Sequence, residues 1–222
     1  MQMHAIVLAT QKGGSGKSTL AIGLAIAAMD DGQRVGMIEA DPQGTISNWG
    51  RRRINPQPRI ERAGSGMAIE RGILDLRLDG FTVAIIDTAA TENVLSASGI
   101  GAADLCLIPA RPSPADIEAA LPTLRTVRRL DKRFAFILNQ SPTRSNRVCE
   151  AATVLNAAGV LALPYIVQRN DHQDALGAGL GVTEYDSHGK AAEEVRGLWR
   201  WVWKSLTTES FNHGPTAIRA AG

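Results

Sequence analysis

The sequence predicts an α/β domain over residues 1–206, with a doubly wound, mostly parallel sheet and helices on both faces. Three observations carry that expectation. Short continuous apolar runs alternate with longer stretches whose apolar residues recur at spacings of three and four. A glycine-rich segment, TQKGGSGKST at residues 10–19, joins the first apolar run to the first helical stretch. A chain of 222 residues with 44% hydrophobic content can bury one sizeable core.

The elements follow in chain order. Strands are expected at residues 4–9, 34–40, 81–87, 104–110 and 134–139, and within residues 160–167. Their runs are apolar without alternation, the pattern of strands covered on both faces. Helices are expected over residues 20–29, 117–130 and 148–158. A last helix sets Val195, Leu198, Trp199, Val202, Trp203 and Leu206 on one stripe, with Arg196, Arg200 and Lys204 elsewhere. The expected reading is a terminal helix packed on the sheet, and the alternative is a membrane-surface helix. Trp201 falls off the stripe and is expected to be exposed. Residues 207–222 are polar and small, and are expected to form a flexible tail.

Composition narrows the function classes. The formal net charge is +2, from 24 basic and 22 acidic residues, so a nucleic-acid partner would need a local basic patch. Cys106 and Cys149 are far apart and lack zinc-type spacing, which fits a reducing cytoplasm better than a disulfide framework. His4, His172, His188 and His213 are scattered. No signal peptide is expected from the first residues, no run reaches membrane-spanning length, and no DNA-reading module is expected before the first strand.

The chemistry centres on residues 13–19. The end of the segment fits G-x-x-x-x-G-K-[ST] as Gly16-Lys17-Ser18, yet Gln11 stands where that pattern requires glycine. Gly13, Gly14 and Gly16, with Ser15 between them, can turn backbone N–H groups toward an anion between a strand and a helix. Lys17 can place its ammonium on phosphates, Ser18 offers a hydroxyl to Mg²⁺, and Thr19 continues the helix start. Lys12 lies five residues before Lys17 and ahead of the glycines. It is either a solvated lysine or a cation offered to a nucleotide in another subunit.

Two carboxylates and an amide sit at later strand tips. Asp41 can orient an attacking water or cap a helix before Pro42. Asp87 follows four apolar residues and suits Mg²⁺. Asn139 ends FILN; a turn or cap is the reading without a ligand.

The motif KGGSGKS, Lys12 to Ser18, resembles the deviant Walker A motif of the ParA/MinD family of P-loop ATPases. ADPQG from Ala40 resembles that family's D-x-D-P-Q-G switch, with Glu39 in place of the first aspartate. IIDTAA resembles its Walker B strand but has Ala89 and Ala90 where prolines are usual. LIPARPSPADIEAA and VQRNDHQDAL resemble its interface strand–loop–helix and its later nucleotide-flanking segment, so the likeness covers about residues 3–206. It is to the short ParA proteins, the ParF-like group.

The resemblance implies ATP and Mg²⁺ as cofactors and a slow, partner-stimulated ATPase. It implies a homodimer when ATP is bound, with Lys12 reaching across it. It also implies Asp41 in hydrolysis, Asn139 reading adenine, a cargo-bound ParB-like adaptor, and a cytoplasmic, nucleoid-associated protein that segregates a plasmid or chromosome. Nonspecific DNA binding is expected through basic residues along the dimer, with Arg144, Arg147 and Arg169 the first candidates. A MinD-like membrane cycle and the positioning of a protein cargo are the alternatives.

Overall fold

The computed structural model describes residues 2–91 and 93–208. The tail expected from residue 207 lies, beyond Thr208, outside the described residues. Six strands form one sheet: β1 (His4–Leu8), β2 (Val35–Ala40), β3 (Arg59–Arg62), β4 (Val83–Thr88), β5 (Leu105–Ala110) and β6 (Phe134–Leu138). Their order is β3-β2-β4-β1-β5-β6, and every pairing is parallel. The strands expected at residues 4–9, 34–40, 81–87, 104–110 and 134–139 therefore exist, each within a residue or two of its expected bounds.

Side chains alternate between two cores. Ile6, Leu8, Met37, Ile85, Leu107 and Ile137 face one; Val7, Ile38, Ile86, Ile108, Phe136 and Leu138 face the other. The first core is covered by α1 (Lys17–Asp30), α2 (Thr45–Gly50), α7 (Asp171–Gly177), α8 (Val182–Tyr185) and α9 (Lys190–Thr207). The second is covered by α3 (Gly66–Leu78), α4 (Val94–Ala102), α5 (Pro114–Arg129) and α6 (Asn146–Ala158). Both faces of the sheet are dry, which explains the continuous apolar strands.

α1 is buried along most of its length because α9 lies over it. Gly23 makes room: a Cβ there would stand 3.3 Å from Val195. The α9 stripe, Val195, Leu198, Trp199, Val202 and Leu206, is buried in this contact, and Trp199 Nε1 donates to Asp31 at 3.0 Å. The packed-helix reading of α9 is the one the structure has. Trp201, expected to be exposed, is half-buried against the same core.

Two further expectations change. Residues 160–167 form no named strand. They run beside β6 through isolated bridges at Leu161 and Val167, interrupted where Pro164 has no N–H to donate. β3, with sequence RIER, was not legible as a strand because it lies at the sheet edge, half-buried, and needs no apolar run.

Candidate nucleotide site

The site sits over the C-terminal ends of β1, β2 and β4, where open parallel sheets bind ligands. The loop leaves β1 at Leu8 and enters α1 at Lys17. Gly14 (φ 74°) and Gly16 (φ 88°) are left-handed, a conformation that costs other residues energy. Gly16 is also pressed against the side-chain amide of Asn139, so a larger residue there would clash. Gly13 and Gly14 face open space.

The loop is pinned from the far side of β1. Asn139 Nδ2 donates to the Ser15 carbonyl at 2.7 Å, and Gln140 Nε2 donates to that of Gly14 at 2.9 Å. The amide of Asn139, buried at 4% exposure, is therefore engaged in shaping the loop. Lys17 is buried, and its ammonium donates across the loop to the carbonyls of Thr10 (3.3 Å) and Lys12 (3.4 Å). Burial lowers the pKa of Lys17, while Asp87 and Asp41 draw it back up.

Ser18 Oγ donates to Asp87 Oδ2 at 2.6 Å. Asp87 is fully buried, and its Oδ1 has no partner among the described residues. Burial pushes its pKa up to about 7, against the pull of Ser18 and Lys17 and with a further push from Asp41 and Glu39. A hydroxyl beside a buried carboxyl with an orphan oxygen is a hard-oxygen donor set, and it fits a divalent cation. The Ser15 hydroxyl is likewise buried without a partner among the described residues.

Glu39, whose role the sequence left open, has a structural task. It is buried, and its Oε1 accepts from the backbone N–H groups of Ile46 (2.7 Å) and Ser47 (3.2 Å). Its Oε2 accepts from the Ser47 hydroxyl and lies 3.6 Å from Arg62 Nε. It caps α2 from beneath, because the N-cap Gly44 has no side chain to do so. Asp41 lies in the loop between them. It is half-buried and accepts from Gln43 N at 2.9 Å in an Asx turn, so it is not the cap of α2. Removing the cap by Glu39→Ala should destabilise the protein by about 2–4 kcal/mol, since two N–H groups and a hydroxyl lose a charged acceptor. Urea unfolding checks this; a change below about 0.5 kcal/mol would remove Glu39 from that role.

Lys12 stands apart from the cradle. Its ammonium lies 3.6 Å from Asp116 of α5 and its side chain is 31% exposed. On the opposite flank, Gly16, Thr19, Asn139, Gln168, His172 and Gln173 line a cavity of about 100 Å³. His172 Nε2 is buried there without a partner among the described residues, and burial chiefly lowers the pKa of the ring. Sequence reasoning pointed to this segment but not to His172, because a lone histidine carries no spacing signal. Arg169 lines the same cavity and is tied to Glu194 of α9 at 2.6 Å, with 22% of its side chain exposed. Its guanidinium is thus engaged by a carboxylate of its own chain. Arg144 and Arg147 are exposed and have no ion pair among the described residues.

The VirC1 protein family matches residues 3–144. The chain belongs to that family of ParA/MinD-type P-loop ATPases. It is 31% identical over 130 residues to protein VirC1 of Rhizobium radiobacter, covering 56% of each chain. The chain thus spans about half the length of that relative. It is 30% identical over 203 residues to the maintenance of carboxysome distribution protein A of Gloeobacter kilaueensis, covering 88% of this chain and 90% of that one. The fold superposes on septum site-determining protein MinD of Pyrococcus horikoshii, solved with Mg-ADP, with a TM-score of 0.74 at 16% identity, covering 93% and 98% of the two chains. For this ParA/MinD-type chain, the six-stranded parallel sheet and the helices on both faces are those of the family fold. No helix among the described residues is long and apolar enough to cross a membrane.

Proposed function

We propose that the chain is a ParA-type positioning ATPase that dimerises on ATP, binds DNA without sequence preference, and is released on hydrolysis. The observation that carries this reading is the pair of lysines. Lys17 fills the cradle, while Lys12 holds a second ammonium outside it, half-exposed and on the opposite side from the cavity lined by His172. A cation there adds little to its own loop and is available to a second copy.

The roles follow from position. Backbone N–H groups of residues 13–19 and the Lys17 ammonium bind the phosphates. Ser18 and Asp87 hold Mg²⁺, which supplies charge neutralisation on the transferring phosphoryl group when bound. Asp41, placed by the Asx turn and by the capped α2, orients the attacking water. Lys12 reaches the partner's nucleotide. Arg144 and Arg147 meet DNA phosphates, and binding through them weakens as salt rises. A cargo-bound, ParB-like adaptor stimulates turnover, since nothing in the described fold reads a base sequence. The likeness to carboxysome-distribution proteins over 88% of the chain favours a second reading, a protein cargo carried on the same cycle.

Light scattering with and without ATP tests the core of the proposal. Wild-type protein should form dimers only with ATP and then retain duplex DNA at low salt. Lys12→Gln should bind nucleotide as a monomer yet form no dimer. Dimers of that variant equal to wild type would remove Lys12 from the interface, and DNA retention indifferent to ATP would overturn the switch.

A further inference from the structure

A larger cavity lies on the opposite face of the sheet from α1, between α4 and α5. It holds about 320 Å³, the lower end of the range for small-molecule sites. Ala9, Ala97 and Ile100 give it an apolar body. One wall is the back of the nucleotide site. Thr10 and Gln11 lead into the phosphate loop, and Thr88 and Ala89 follow Asp87. The Thr10 carbonyl is also an acceptor for the Lys17 ammonium, at 3.3 Å. An occupant that shifts Thr10 therefore shifts a partner of the phosphate lysine.

Three polar groups of the lining are uncommitted. Thr10 is 3% exposed, and its hydroxyl is buried without a partner among the described residues. A buried orphan hydroxyl calls for an occupant. The side chains of Gln11 and Arg129 also make no hydrogen bond or ion pair among the described residues, and Arg129 lines the cavity from the exposed last turn of α5. Neighbouring polar groups are spent. Thr88 Oγ1 donates to the Leu8 carbonyl at 2.8 Å, and Ser96 Oγ donates to the Thr91 carbonyl at 3.2 Å. Asn93 Oδ1 accepts from Ser96 N at 2.7 Å, so α4 is already capped and its N-terminus adds no anion site.

We propose that the cavity between α4 and α5 is an effector site for a small amphipathic monocarboxylate, whose occupancy changes nucleotide affinity. The guanidinium of Arg129 presents forked donors that match a carboxylate. One cation balances a monoanion and leaves a phosphate dianion underneutralised. The apolar body takes the ligand's hydrocarbon, and Thr10 and Gln11 can bond one further polar atom beside the loop. The effector part rests on the reading that residues 13–19 hold nucleotide; the binding part does not.

The probes are butanoate, hexanoate, octanoate and octanamide, titrated calorimetrically into the full chain. Affinity should rise by up to about fourfold for each methylene buried. Octanoate should bind about tenfold more tightly than octanamide, because only the carboxylate makes charge-assisted bonds. Arg129→Gln, at an exposed position, should erase that preference. Ala97→Phe fills the cavity and should abolish octanoate binding while the protein still melts cooperatively. With octanoate bound, the affinity of wild type for a fluorescent ATP analogue should change at least threefold, and the analogue should change octanoate affinity by the same factor. No binding at any chain length, octanamide equal to octanoate, or binding that survives both substitutions overturns the site. If Ala97→Phe does not fold, Arg129→Gln decides alone: an unaltered preference for octanoate overturns the site. Octanoate binding that leaves analogue affinity unchanged overturns the effector role. A protein that binds octanoate but no analogue overturns the nucleotide reading and the effector role, and sustains the cavity's assignment.

Discussion

Lys17→Ala is expected to weaken MgATP binding by about 100-fold or more, with little loss of folded stability. A buried ammonium facing phosphates makes charge-assisted hydrogen bonds of roughly twice ordinary strength, in a site where water does not screen them. Among the described residues the same ammonium makes two long bonds, at 3.3 and 3.4 Å, to loop carbonyls. Its pKa is lowered because burial outweighs Asp87 and Asp41, so the free protein gains little from keeping it charged. The two states thus respond differently to one substitution. Titration with a fluorescent ATP analogue, alongside thermal unfolding of the free protein, measures both. A change in affinity below about threefold would mean that the phosphates lie elsewhere.

Asp87→Asn is expected to do two opposite things. In the free protein it should raise stability above pH 7, and in the presence of MgATP it should abolish the stabilisation that Mg²⁺ adds. The sign follows from the raised pKa. The carboxyl titrates near 3.8 when unfolded and near 7 when folded. The folded state therefore holds a proton that the unfolded state has lost, and stability falls as pH rises from about 4 to about 7, then levels off. The gap corresponds to roughly 4 kcal/mol at the plateau. Asparagine carries no charge to bury, can still accept from Ser18, and loses the orphan oxygen. Its advantage should be absent near pH 4 and reach several degrees in Tm near pH 8. Paired melting curves at pH 5 and pH 8, each with and without Mg²⁺ and ATP, read the whole pattern. A variant less stable than wild type at pH 8, or one stabilised equally by Mg²⁺, would contradict the assignment of Asp87.

Much of the fold was legible because burial on both faces writes a simple pattern. Ile6, Val7 and Leu8 read as a strand without knowing which core each one serves. α9 was legible because its stripe is narrow and its other face is charged. α4, with sequence VLSASGIGA, was not, because small residues pack it closely and leave no stripe. β3 was lost because it lies at the sheet edge: RIER is half-buried from Arg59 to Glu61 and exposed at Arg62, so it carries no apolar run.

In the site, local chemistry was readable and long-range chemistry was not. Glycines with φ near 74° and 88° announce the loop from sequence, since only that conformation makes use of them. The bond from Ser18 to Asp87 joins residues 69 apart in sequence, but strand tips and hydroxyl chemistry still pointed to both. Nothing local announced that Glu39 would cap α2 from below, or that Asn139 would spend its amide on Ser15, 124 residues away. Nor did spacing reveal that Arg169 is matched by Glu194, on the third helix after it. Each depends on where another element comes to lie.

The strand order carries one more consequence. β1 and β4 are neighbours at the centre of the sheet, and both send their tips into the site, with Leu8 in register with Asp87. The edges are β3 on one side and β6 on the other. Fraying begins at edges, where fewer backbone bonds and apolar contacts must be broken. The floor of the nucleotide site therefore cannot loosen by itself; it opens only when the whole sheet does. Its walls, α2 beside the edge strand β3 and α7 beside the small cavity, can breathe while that floor stays shut. On the proposed reading, nucleotide exchange then needs movement of the walls alone.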